Sequence, residues 1–150
     1  MVHTRNFLAC VIAGAVLTAF SSTAHAQRHM DKWATLHIIR QVEEQNDALQ
    51  DRIDDWAAGH QEEMRHSHAD LFRSIDQFTD DLDDLKAQVR QHDEPWDTRD
   101  KVQSVVQDAT EMGHAIQHSD FPPEVRQQWR QVRNGVDQLA QQYHLPPVSW

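Results

Sequence analysis

The sequence predicts an all-α protein, an antiparallel up-down-up-down four-helix bundle that follows a secretory signal. Three observations carry that expectation. Four separate segments place apolar residues at alternating three- and four-residue steps, the period of helices packed in a bundle. No stretch alternates with the period of two that marks a strand. The five prolines fall between or after the four segments, where turns belong.

Residues 1–26 read as a signal peptide. Arg5 supplies the cation of a short n-region, and Phe7 to Phe20 is an unbroken apolar or small run. Ser21-Ser-Thr-Ala-His-Ala26 then puts Ala24 and Ala26 at the two small-residue positions that a signal peptidase accepts. The run is shorter than the roughly 20 apolar residues that span a bilayer, which disfavours a retained anchor. Cys10 stands near the start of the run, whereas a lipidated cysteine follows it. Cleavage after Ala26 removes this cysteine, the only one in the chain, and closes off disulfides, thiolate metal sites and thiol nucleophiles.

Residues 27–150 are long enough for one domain with a continuous core. The whole chain carries a net charge of −10, and loss of Arg5 with the signal takes it to −11. That balance excludes nucleic acid, which calls for clustered Lys and Arg, and disfavours an anionic membrane face. His3 and His25 also leave with the signal, so nine of the eleven histidines remain. Their protonation would bring the charge from −11 to −2, a strong response between pH 7 and pH 5.

The first segment, Asp31 to Ala58, sets Leu36, Ile39, Val42, Asn46, Leu49, Ile53 and Trp56 on one stripe. Asn46 interrupts it. A buried polar residue there would fix register, and the plainer expectation is a position at the stripe's edge. The second segment is the most regular: Leu71, Ile75, Phe78, Leu82, Leu85 and Val89 follow a 4-3-4-3-4 spacing. Ser67 with Asp70 three residues on resembles a capping box at its start. Asp76, Asp80, Asp83 and Asp84 make an acidic stripe beside its apolar face.

The third segment starts near Pro95, a residue suited to a first helical turn, and uses Val102, Val105, Ala109, Met112 and Ile116. The fourth follows Phe121-Pro-Pro123, with Val125, Trp129, Val132, Val136, Leu139 and Tyr143 on its stripe and Arg126, Arg130 and Arg133 beside it. Leu145-Pro-Pro147 ends it and leaves a short extended tail to Trp150. At about 1.5 Å per residue, segments of roughly 22 to 28 residues make helices of about 33 to 42 Å. A long two-helix hairpin that dimerises meets the same pattern. It ranks second, because the breaks near 95 and 122 are separate and well placed for turns.

Histidine is the only source of chemistry the sequence offers, and no motif implies a cofactor. Glu63-Met-Arg-His66 and Glu111-Met-Gly-His114 have the Glu-x-x-His spacing of di-metal bundles. At about 100° per residue, however, His114 points roughly 200° away from Met112 and the core, and Glu63 and His66 fall in a connection. Met30 and His144 are at the wrong places for a Met/His haem pair inside a bundle. A looser site is the better candidate: His60, His66 and His68 in the first connection, with His114 and His118 at the end of the third segment. His114 and His118 are i and i+4, a spacing that lets two imidazoles reach one Zn, Ni or Cu ion. Met64 and Met112 are near in sequence and suit a soft metal. His29, His37, His92 and His144 gather at the opposite end. Exposed histidines near loops are the plain alternative.

Trp129-x-x-x-Arg133-x-x-Val136-x-x-Leu139-Ala140-x-x-Tyr143, with Trp150 in the tail, resembles a group of small exported bacterial helical proteins without assigned function. Phe72-Arg-Ser-Ile75-Asp-Gln-Phe78 is similar to their second helix. The resemblance covers about a third of residues 27–150 and implies a fold and a compartment, with no activity. The sequence thus leads to a non-enzymatic periplasmic or secreted bundle with a structural or partner-binding role, its partner an envelope protein. No stable membrane insertion is expected after signal cleavage. A periplasmic His-based metal-binding or metal-sensing bundle is the alternative.

Overall fold

The four apolar stripes fold as four helices. The computed structural model describes residues 32–60, 69–92 and 95–149. Its elements are α1 (Lys32–Gly59), α2 (Ala69–Gln91), a 3-10 turn (Pro95–Thr98), α3 (Arg99–Gln117) and α4 (Pro123–Gln142), with no strand among the described residues. Residues 1–26, the expected signal segment with Cys10, and also His29, Met30, Glu63, Met64, His66, Ser67, His68 and Trp150, lie outside the described residues.

α1 and α2 have 28 and 23 residues, as the periodicity predicts, but α3 and α4 have only 19 and 20. The reason at α3 is local. The chain makes a 3-10 turn over Pro95–Thr98 before the α-helix begins, so Pro95 does not open an α-helix. Thr98, at the N-cap position, makes no capping bond. Its hydroxyl is buried and lies 2.8 Å from the Tyr143 hydroxyl. At α4 the two prolines fix the start: Pro122 is extended, with φ −65° and ψ 160°, and Pro123 takes the first turn, where its missing N–H costs nothing.

α1 packs against α2 and α4, and α3 packs against the same two, so the ring of helices closes within one chain. Every residue named above on the four core stripes is buried except Trp56, which is half-buried. Fully burying each large apolar side chain is worth about 1.5–3 kcal/mol, and this core is where most of the stability resides. Two glycines allow helices to meet closely. A Cβ on Gly135 of α4 would come 2.6 Å from Val42 Cγ2 of α1, and one on Gly113 of α3 would come 2.8 Å from Trp129 Cζ2 of α4.

Asn46 does not sit at the edge of its stripe. It is 1% exposed, and its Nδ2 donates to Thr79 Oγ1 at 2.9 Å. Gln50 Nε2 donates to the same oxygen at 3.0 Å, and Thr79 in turn donates to the Ile75 carbonyl at 2.9 Å. One hydroxyl therefore gathers two amides from α1 onto α2. That is the kind of buried polar contact that marks one register.

α4 ends in a Schellman motif. Leu145 N donates to Ala140 O at 2.9 Å and His144 N to Gln141 O at 3.2 Å, with His144 in the left-handed region at φ 52°. The tail beyond is extended, as expected, and also docked: Val148 is buried, and its N–H donates to Asp137 Oδ1 at 2.8 Å. Arg133 Nε stands 3.6 Å from Asp137 Oδ2, so one carboxylate serves both the basic stripe and the tail. No helix among the described residues is long and apolar enough to cross a membrane.

Candidate functional site

The histidine candidates divide between described and undescribed residues. Trp56 near the end of α1 meets Phe121 just before α4, with ring centroids 4.7 Å apart at 66°, so the end of α1 lies beside the start of α4. His60 stacks on Trp56 at 4.5 Å and 17°, with its Nδ1 2.8 Å from the Trp56 carbonyl. His118 Nδ1 lies 2.7 Å from the His114 carbonyl, and the two rings are 6.5 Å apart. A carbonyl only accepts, so Nδ1 of His118 carries the proton in this contact, and in the neutral ring the lone pair is on Nε2. His60, His114 and His118 are all exposed.

Among the described residues no group of three or more His, Cys, Asp or Glu side chains is close enough to hold an ion. Met112 is wholly buried in the core and does not join the histidines. Glu111 is exposed and accepts a bond from Gln107 Nε2 at 3.2 Å. His144 lies beyond the end of α4, stacked on Trp96 at 5.9 Å and 27°.

The most perturbed chemistry is a seam between α2 and α3, where Asp81 and Asp108 lie outside the acidic stripe and the histidine candidates. Asp81 is 9% exposed. Its Oδ1 accepts from Lys101 Nζ at 3.2 Å and Gln77 Nε2 at 3.3 Å, and Lys101 also reaches Asp84 Oδ2 at 3.2 Å. Burial pulls the Lys101 ammonium down, but Asp81 and Asp84 together hold it above its ordinary value. Asp108 of α3 stands beside Asp81. Burial, a hydrogen bond with Asp81, and the charges of Asp81 and Glu111 push its carboxyl up to about 7, against the pull of Lys101.

Asp108 Oδ2 is buried and meets no donor. A proton on Asp108 turns two repelling acceptors into a donor and an acceptor, as in carboxyl pairs that share one proton. A signal for both residues was in the sequence. Asp81 is three after Phe78 and four before Leu85, and Asp108 is three after Val105 and four before Met112, so each carboxylate shares the core register.

The expected acidic stripe is on the surface: Asp76, Asp80, Asp83 and Asp84 are all exposed. Between α1 and α2, Lys86 bonds to Glu43 and lies 3.3 Å from Asp83. The hydrogen bond with Glu43 leads the effects that raise the Lys86 ammonium above its ordinary value.

The end where α1 begins carries two exposed tryptophans. Trp33 in the first turn of α1 is 74% exposed and Trp96 in the 3-10 turn is 51% exposed, the two exposed large apolar side chains among the described residues. Contacts bring the start of α1 and the 3-10 turn to the same end of the bundle. Lys32 Nζ donates to Arg90 O at 2.8 Å, and Thr35 Oγ1 donates to Gln142 Oε1 at 3.2 Å. Tyr143, next in sequence, meets Trp96 edge-on at 6.4 Å. No apolar periodicity points to either tryptophan, because neither belongs to a stripe.

A fold of four packed helices and two chemically distinct ends is as far as the geometry classifies this chain. No protein-family model matches it, and neither a curated protein nor a solved structure does.

Proposed function

We propose that this chain is an exported, non-enzymatic bundle, antiparallel in up-down-up-down order, that holds a protein partner of the cell envelope at its tryptophan end. The observation that carries this reading is the pair Trp33 and Trp96, 74% and 51% exposed at one end of a bundle whose other large apolar side chains, among the described residues, are buried or half-buried. Tryptophan is enriched where protein partners bury an anchor. The antiparallel order is supported by the bonds from the start of α1 to the ends of α2 and α4, Lys32 to Arg90 and Thr35 to Gln142. Export is supported by the signal pattern of residues 1–26 and by the resemblance to small exported helical proteins.

The reading is tested with a photo-crosslinking amino acid at position 33 or 96, compared with the exposed position 103 on α3. A discrete adduct from 33 and 96, absent from 103 and lost when the other tryptophan becomes alanine, is the expected result. Equal adducts from all three positions, or none from 33 and 96, would sink it.

A second reading, a His-based Zn, Ni or Cu site, is favoured by the His114–His118 pair. His118 Nδ1 is held by a backbone carbonyl, which orients its free Nε2 as such bonds orient metal-ligating imidazoles. His60 stands at the same end, and His66 and His68 belong to the connection that follows it. Calorimetric titration of the protein with each ion, beside His114→Ala/His118→Ala, separates the two readings. Binding weaker than micromolar for all three ions removes this one.

A further inference from the structure

We infer that the cleft between the end of α3 and the start of α4 binds a small carboxylate with an apolar body. The cleft has a volume of about 260 Å³ and is lined by Ile116, Gln117, Pro123, Arg126, Trp129 and Arg130. It lies just below the range of about 300–1,000 Å³ that holds drug-sized ligands, so its occupant is smaller than those.

The polarity of the lining selects the ligand. Arg126 and Arg130 are i and i+4 on α4, so both guanidinium groups are neighbours on one helix face. Neither makes an ion pair with a described carboxylate, although the chain has 24 acidic residues against 14 basic ones. Trp129 is 1% exposed, and its Nε1 is buried without a hydrogen-bond partner. The N–H edge of its indole rests on Gly113, where an added Cβ would lie 2.8 Å from Cζ2 and 3.4 Å from Nε1. The cleft opens one turn further along α3, at Ile116 and Gln117.

Indole and guanidinium groups donate and never accept. Arg126 and Arg130 are the donors that the cleft presents, so the occupant they hold supplies acceptors alone. A carboxylate does this, and its two oxygens match the fork of an arginine. Ile116, Pro123 and the face of Trp129 then call for an apolar remainder. A cation is repelled by both arginines, and inorganic phosphate leaves the apolar wall uncovered.

The full ¹⁵N-labelled protein has five tryptophan indole signals, and Trp129→Phe identifies the relevant one. Benzoate and 3-methylbutanoate are titrated against benzyl alcohol, benzylammonium and inorganic phosphate as controls. The two carboxylates should move the Trp129 indole signal to saturation, with each control at least about tenfold weaker, the loss expected for one charge-assisted bond. Arg126→Gln and Arg130→Gln should each weaken benzoate about tenfold. Both side chains are exposed, so helical circular dichroism should stay unchanged and show that the fold is intact. A Trp129 signal that never moves up to the solubility limit of benzoate overturns the inference. So does equal binding of benzyl alcohol or phosphate, or a folded double variant that keeps the original affinity.

Discussion

At the scale of single residues, the close approach of α1 and α4 rests on an absent side chain. Gly135 lies in the interior of α4, where alanine would favour the helix by about 1 kcal/mol. Against that, its Cβ would come within 2.6 Å of Val42 Cγ2 and 3.3 Å of Gln45 Oε1, and overpacking a tight core costs about 1–3 kcal/mol. The clash wins, because Val42 is fully buried in the middle of α1 and has no solvent to move into. Gly135→Ala is expected to lower the urea-unfolding free energy by about 1–2 kcal/mol. In a Val42→Ala background the obstructing methyl is gone, and the same substitution should turn neutral or stabilising. An equal cost in both backgrounds would mean that the α1–α4 contact is not where the glycine acts.

At the scale of elements, α4 shows both what periodicity reveals and what it hides. Its stripe from Val125 to Tyr143 is buried without exception, because the three-four step is dictated by the same core the structure builds. The ends are a different matter. Leu145-Pro-Pro147 signals a stop in the sequence, but the stop itself is made by His144 at φ 52°, a conformation that costs a side-chain-bearing residue about 1–2 kcal/mol. Nothing in the type of residue announces it, since glycine is the usual occupant. The start of α3 was obscured in the same way, because Thr98 turns its hydroxyl to a tyrosine 45 residues away. The carboxylates Asp81 and Asp108 were readable from their register but resemble ordinary surface acids when each is taken alone.

The stacking of His144 on Trp96, 5.9 Å apart, offsets part of its backbone cost, since a ring pair is worth about 0.5–1.5 kcal/mol. The two effects can be separated. In a Trp96→Ala background His144→Gly should stabilise by about 1 kcal/mol, with a smaller gain in the natural protein, where the stack is sacrificed. Thermal unfolding of the four proteins measures this. A gain no larger without Trp96 would show that the stack contributes nothing.

At the scale of the whole molecule, the carboxyl pair between α2 and α3 should tie stability to pH. Asp108 moves from an ordinary value of 3.8 to about 7 in the fold, chiefly through burial and the hydrogen bond with Asp81. Between those two values the folded chain keeps a proton that the unfolded chain has released, so stability falls as pH rises through the window. The contribution is whole below 3.8 and gone above 7, and the melting temperature should drop between pH 5 and pH 8. Self-repulsion acts in the same direction, because a chain of net charge −10 becomes less negative as its histidines are protonated.

Salt distinguishes the two. At 1 M the screening length is about 3 Å, which quenches repulsion across the surface but reaches a partly buried pair much less. The slope that survives in 1 M salt should therefore belong to Asp108. Asp108→Asn should flatten it, and at pH 8 the variant should melt higher than the natural protein, because an amide can donate to Asp81 without carrying charge. If Asp108→Asn keeps the high-salt slope, the proton resides elsewhere, and the seam between α2 and α3 is an ordinary set of ion pairs.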